Sequence, residues 1–377
     1  MIHYKYAFAI LFLLTVSCFN KQTDTQHRKR TIESITFEEV SIPIDTAALV
    51  YYRKNSPFVF NGENCLAGYN PIRHTIDLFN LDKKSFITRI SLNRHGPNEV
   101  LKVYGLFVHN LDSIFIFDPT GIKLLSEKGT VHKLSHQAMN GSLIAASGSG
   151  IFYDAQSRSL LMYFQAEDFE SNGRETGLSK PIVAELFLET GKVNLLAVHY
   201  SQYIRDNKGD FSSDIIPNLS FYNDRIICNF VVDSEICLYN RKGNLSGCFP
   251  ALSNTSENRS SPYSQDGMGI EHRMLTNTMF QKVFYLNKDN LYVRAHWGNQ
   301  PILTNDMKPT TMMTKPASLM LFDEVFNPLI ELSLDREKYF PDDYFTTSEA
   351  LYIWRDFTKA PDEDSLQLGR MNIRYIK

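Results

Sequence analysis

Cys18 carries the most legible chemistry in the chain. It closes the run Leu14-Thr15-Val16-Ser17-Cys18, behind Lys5 and an apolar stretch from Ala7 to Val16. A small residue directly before a cysteine at the end of such a stretch reads as a bacterial lipobox, with Thr15 where leucine is usual. The chemistry is cleavage before Cys18, followed by lipid on its sulfur and its amine. The apolar run is too short for a bilayer span, which needs about 20 residues, and fits a processed export signal. The expected organisation is therefore a signal peptide over 1–17, a lipidated Cys18 with a polar tether over 18–30, and one domain over 31–377. Phe19-Asn20-Lys21-Gln22 holds neither an aspartate retention signal nor an acidic run, so the expected site is the outer membrane, facing the periplasm.

A second group of residues has the chemistry of recognition. Arg294 and His296 alternate onto one face of Leu291-Tyr292-Val293-Arg294-Ala295-His296-Trp297, and Trp297 ends that strand. Trp354 and Arg355 repeat the combination, and tryptophan and arginine favour binding hot spots. Arg94, His95 and Glu99 surround Gly96-Pro97-Asn98, whose residue types first make a turn. These eight are the expected ligand-contact candidates. The competing reading buries the tryptophans between packed sheets and pairs the arginines with carboxylates.

Other chemistries lack their patterns. No His-Glu-x-x-His or Gly-x-Ser-x-Gly occurs. Asp362-Glu363-Asp364 lacks the alternating ligands and glycine of a calcium loop. Ser147-Gly148-Ser149-Gly150 lacks the Lys-Ser/Thr of a phosphate loop. No catalytic residue, metal or cofactor is nominated. The formal charge of −3, with no basic block beyond His27-Arg28-Lys29-Arg30, argues against a nucleic-acid partner. Cys65, Cys228, Cys237 and Cys248 show no metal-binding spacing. They are expected as free buried thiols, although Cys228 and Cys237 could face each other on neighbouring strands.

The elements that position these residues are short strands. Ser113-Ile114-Phe115-Ile116-Phe117-Asp118 is apolar on both faces, as expected of a strand buried between sheets. A recurring phrase, a polar pair followed by an apolar strand, appears at Asp112-Ser113, Asn223-Asp224, Asp289-Asn290 and Ser348-Glu349. Groups of three or four strands with a period of about 40 to 60 residues predict an all-β propeller. Six blades are expected, seven if the long loops hide strands, with Ile35–Ile42 closing the last blade. Tyr200–Asn218, Ala251–Leu275 and His296–Pro316 exceed ordinary hairpin loops, and would form a recognition rim if they gather on one face.

The run Thr75–Leu81, then Ile90-Ser91-Leu92 before Gly96-Pro97-Asn98-Glu99, then Gly105–Val108 and Leu111–Phe115, follows one template. With Leu321-Phe322-Asp323, Glu331-Leu332 and Glu349–Ile353 it resembles uncharacterised lipoproteins with a six-bladed TolB-like propeller from gut-type Gram-negative anaerobes. Arg94-His95 stands where those proteins more often have an acidic residue. The resemblance implies fold and location, with no activity or catalytic residue to carry over. The functional expectation is a lipid-anchored binding or scaffold protein that contacts an envelope protein or a glycan. The alternative is a glycan-active or other hydrolase with its site in the central channel. Two or more inward-facing carboxylates or histidines with shifted pKa at one channel mouth would mark it.

Overall fold

The computed structural model describes residues 31–136, 139, 141–144, 150–167, 174–263, 269–356 and 363–376. Cys18, the tether and Asp362 lie outside the described residues. The unit from Ile35 to Asn372 carries a six-bladed β-propeller; the chain ends form a second, small unit in which the Ile376 N–H donates to the Thr31 carbonyl at 2.9 Å.

Strand β1 (Ile32–Pro43) belongs to the last blade. Blade 1 follows as β2 (Asn55–Phe60), β3 (Glu63–Asn70), β4 (Thr75–Asn80) and β5 (Ser85–Ser91). Blade 2 is β6 (Gly105–Asn110), β7 (Ser113–Asp118), β8 (Gly121–Leu125) and β9 (Val131–Leu134). Blade 3 splits its inner strand into β10 (Gly141–Ile144) and β11 (Ile151–Asp154), followed by β12 (Ser159–Ala166), β13 (Val183–Phe187) and β14 (Val193–Leu196). Blade 4 is β15 (Asn218–Tyr222), β16 (Arg225–Phe230), β17 (Asp233–Asn240) and β18 (Leu245–Phe249). Blade 5 again divides its inner strand, β19 (Met279–Phe280) and β20 (Phe284–Leu286), before β21 (Leu291–Trp297), β22 (Ala317–Phe322) and β23 (Pro328–Ser333). Blade 6 is β24 (Tyr339–Thr346), β25 (Leu351–Arg355) and β26 (Ser365–Tyr375), with β1 as its outer strand. Closure by the N-terminal strand is as the sequence predicts.

Every strand pair within a blade is antiparallel, and the repeated polar pair occupies one position throughout. It is the turn from first to second strand in blades 2, 4, 5 and 6. Asn223 (φ 48°) and Asn290 (φ 56°) take the left-handed conformation that such tight turns require. Strand β7 shows why both its faces are apolar. Ile114 and Ile116 pack with Ala67, Ile76 and Leu78 of blade 1, while Phe115 packs with Leu160 and Met162 of blade 3. Similar seams join blades 3 and 4, blades 4 and 5, and blade 6 to blade 1. Burial of each such side chain contributes about 1.5–3 kcal/mol, so the ring is the unit of stability and no blade is stable by itself.

The cysteines depart from the expectation of free thiols. Cys237 bonds Cys248 across β17–β18, while Cys65 and Cys228 are free and buried. Cys228 does lie directly opposite Cys237, on β16, but the strand on the other side supplies the partner. Among the described residues, no helix is long and apolar enough to cross a membrane.

Candidate functional site

The inner strands begin around one mouth of the central channel. A cavity of about 270 Å³ there is lined by Arg53, Lys54 and Asn55 of blade 1, Tyr104–Leu106 of blade 2, Gly150 and Ile151 of blade 3, and Asn218 and Val231 of blade 4. Gln281, Lys282 and Phe284 of blade 5 and Asp342–Tyr344 of blade 6 complete it. The charges are segregated. Blades 5, 6 and 1, which are consecutive around the ring, supply every charged side chain; blades 2, 3 and 4 supply aromatic, aliphatic and amide groups.

Lys282 sits on the irregular segment between β19 and β20, outside the strand ladder. A segment that leaves the ladder must satisfy its carbonyls elsewhere. Asn229 Nδ2 donates to the Gln281 carbonyl at 2.9 Å, the Tyr344 hydroxyl to the Lys282 carbonyl, and Ser220 Oγ to the Val283 carbonyl. Both neighbouring blades therefore clamp the segment. The Lys282 side chain reaches blade 3, where a Cβ on Gly150 would lie 2.9 Å from its Nζ. Gly150 also has φ 61°, a conformation that glycine adopts without penalty. Nζ stands 5.3 Å from the Phe284 ring centroid. It makes no ion pair or hydrogen bond among the described residues, and enclosure by protein lowers its pKa from the usual 10.5 to about 8.

Asp342 and Asp343 face the same space from β24. The Trp297 indole N–H donates to Asp342 Oδ1, and the Tyr51 hydroxyl donates to Asp343 Oδ2. Asp342 touches channel solvent, so its surface counts as exposed, yet protein surrounds it on most sides. The enclosure governs its titration: desolvation raises its carboxyl to about 6 against the opposing Trp297 hydrogen bond. Desolvation raises Asp343 as well, opposed by Tyr51, Arg53 and Lys54. Burial lowers Lys54, with Arg53 adding to the shift and Asp343 opposing it.

The three long loops gather with one another, and the first ends at Asn218 in the cavity lining. Two of them, Tyr200–Asn218 and Ala251–Leu275, run into the inner strands of blades 4 and 5. The Tyr203 hydroxyl donates to the Ser260 carbonyl at 2.7 Å and the Tyr263 N–H to the Asp210 carbonyl at 2.8 Å. The third loop joins them where Glu257 N–H meets Asn299 Oδ1 at 3.2 Å and Gln300 N–H meets the Leu275 carbonyl at 3.3 Å.

The residues singled out from sequence take other places. Arg94, His95 and Glu99 lie in the turn from blade 1 to blade 2. Arg94 and His95 are exposed there, and the Glu99 carbonyl accepts from Lys123 Nζ at 2.5 Å. Gly96 (φ 93°) makes the turn, closed by the Glu99 N–H on the Gly96 carbonyl at 3.1 Å. Arg294 is fully buried, sandwiched between the Phe280 and Phe322 rings, and donates to the carbonyls of Ser234 (2.8 Å) and Ala251 (2.6 Å). Trp354 packs between blades 6 and 1 against Tyr51 and Tyr52, and Arg355 pairs with Glu39 at 3.3 Å. Trp297 is buried under the Arg336 guanidinium and reaches the mouth only through its hydrogen bond to Asp342.

His296 has the neighbours of a serine hydrolase in the wrong arrangement. Its Nε2 faces Ser253 Oγ (3.3 Å), Ser256 Oγ (3.2 Å) and Glu331 Oε1 (3.5 Å) together, while Nδ1 has no hydrogen-bond partner among the described residues. A catalytic histidine takes the nucleophile on one nitrogen and the acid on the other. Glu331 instead binds the 253–256 turn, through Ser253 Oγ at 2.7 Å and the Asn254 N–H at 2.7 Å. Among the described residues, Glu235, Cys237 and Cys248 are the one grouping with metal-ligand chemistry, and both of its sulfurs are bonded to each other.

Arg53, Lys54, Lys282, Asp342 and Asp343 were not legible as a site. Their signals are a lone cation between Phe280 and Phe284 and a paired acid after Pro341.

Solved structures share this architecture. A family member from Bacteroides vulgatus superposes with a TM-score of 0.73 at 17% identity, over 91% of this chain and 99% of that one. A Bacteroides fragilis protein assigned as exported superposes with a TM-score of 0.53 at 12% identity, over 90% and 95%. At these identities the likeness is one of fold. No curated protein matches the sequence. The model of the domain of unknown function DUF4221 matches residues 32–332, most of the propeller, and the chain belongs to that family.

Proposed function

We propose that this chain is an exported, lipid-anchored, non-enzymatic binding protein that captures a small ligand at the mouth of its axial channel. The lipid on Cys18 holds it in the outer membrane, facing the periplasm. The lipobox, the resemblance to TolB-like lipoproteins and the Bacteroides fragilis relative in fold that is assigned as exported support the address. One observation carries the binding reading: six inner strands converge on a cavity of about 270 Å³ whose charged groups all stand on one side.

The hydrolase reading draws on Asp342 and Asp343, the inward carboxylates with raised pKa that such an enzyme needs. Glycosidase carboxylates flank the substrate from opposite sides. Here both come from adjacent residues of one strand, and each already accepts a protein donor. Binding is the better fit.

The test is recovery of small molecules. Mature protein and Leu106→Trp, which fills the mouth, are purified from native envelope and their bound compounds identified by mass spectrometry. Compounds present in wild type and lost from a normally folded L106W are expected. The same compounds in both, or none in either, would overturn the reading. Radiolabelled palmitate incorporation, lost in Cys18→Ser, tests the anchor.

A further inference from the structure

We propose that Lys282 is the anchor for the ligand's acid group, and that the ligand is a small organic monocarboxylate with an apolar body. This rests on the reading of the axial mouth as the ligand site. Three observations converge on it. The Lys282 ammonium stands inside the channel with no carboxylate, carbonyl or hydroxyl partner among the described residues. The segment that presents it is clamped through all three of its carbonyls by side chains of blades 4 and 6 acting as donors, so the amine is held by a rigid mount. Gly150 leaves the space at the amine that any other residue would fill with a Cβ.

Lys282 keeps part of its surface open to the channel solvent, and a partly desolvated ammonium without a counter-charge is a ready partner for an anion that enters the channel. The partner missing from the site is an anion. Of the three cations at the mouth, Arg53 and Lys54 act on Asp343, which leaves Lys282 to meet one negative charge rather than a phosphate dianion. Asp342 and Asp343, on the neighbouring blade, further disfavour a doubly charged ligand. Beside the amine, Ile151, Leu106 and Tyr104 offer the aliphatic and aromatic wall against which an apolar body packs. Because the amine reaches Gly150 of blade 3, the acid sits there and the body extends along blades 3 and 2.

The test uses the mature chain with benzoate, benzamide and inorganic phosphate as probes, followed by calorimetry or saturation-transfer NMR. Benzoate is expected to bind at least tenfold more tightly than its neutral isostere benzamide. Lys282→Met should weaken benzoate at least tenfold, while Lys282→Arg stays within about threefold of wild type. K282M should melt at or above the wild-type temperature, since the lost ammonium satisfies no protein group; this separates a ligand role from a structural one. Equal binding of benzoate and benzamide, or K282M binding benzoate like wild type, would overturn the proposal. So would phosphate binding as tightly as benzoate in a Lys282-dependent way. Recovery of L106W-sensitive compounds that are neutral would remove the carboxylate assignment and leave the mouth as the ligand site. Failure to recover any would remove the site itself.

Discussion

Replacing Arg294 by methionine separates the ligand role expected from sequence from the role its surroundings assign. Its guanidinium donates to the carbonyls of Ser234 and Ala251, both in buried residues, at 2.8 and 2.6 Å. Methionine fills most of the volume between Phe280 and Phe322 but leaves both carbonyls without those donors. A buried group deprived of its partner costs about 1–3 kcal/mol, so the two together cost about 2–6 kcal/mol. Part is returned, because the guanidinium is itself expensive to enclose: desolvation brings its pKa from 12.5 down to about 9, and its Nε has no partner among the described residues. The expected net loss is about 2–4 kcal/mol. Urea unfolding followed by tryptophan fluorescence measures it, as a lower midpoint at unchanged slope. Arg294→Lys, which keeps a donor but loses the planar sandwich, should fall between. Benzoate affinity should stay within a factor of two while the protein is folded. Stability within about 0.5 kcal/mol of wild type, combined with lost ligand binding, would refute the reasoning and return Arg294 to the recognition surface.

Further outcomes follow from the same geometry. Burial, with Arg294 adding to it, holds His296 down at about 4. The unfolded chain therefore takes up a proton near pH 6.5 that the native state refuses. Stability should be complete above pH 6.5 and fall as pH drops toward 4; Glu331, whose pKa is lowered by the Thr255, Asn254 and Ser253 hydrogen bonds against desolvation, pushes the same way. Denaturation at pH 7 and 4.5 should show a smaller difference in His296→Gln than in wild type. The Cys237–Cys248 bond closes a sequence separation of 11 residues, for which loop-closure entropy gives about 2–3 kcal/mol. The double Cys237→Ser/Cys248→Ser variant should lose that much in urea unfolding, and reductant should not destabilise it further. Truncation through Pro43 removes Val40 and Ile42 from the seam between blades 6 and 1 and exposes β26 as an edge. Size-exclusion chromatography should then show aggregation in place of a monomer.

The sequence alone determined the ring. Apolar positions on both faces of β7 imply packing on two sides, and the repeated polar pair marks the first hairpin of four blades. Both signals are local, set by strand alternation and turn chemistry, so they survive without knowledge of neighbours. Of the inner strands, those of blades 1 and 6 were left unread. Asn55–Phe60 holds a proline, and Tyr339–Thr346 shifts register between Tyr339 and Tyr344. Inner strands meet the channel on one edge and lack the apolar period of strands buried on both sides. Only tertiary structure could bring Lys54, Lys282 and Asp342 together, because ring closure places Lys54 and Lys282, 228 positions apart in sequence, in the lining of one cavity. It also decided the opposite case. Arg294 and His296 have the chemistry of a recognition surface, and the enclosure of β21 by blades 4 and 6 removes them from solvent. Residue type states what a side chain can do; burial and the partners across the seam decide whether a ligand can reach it.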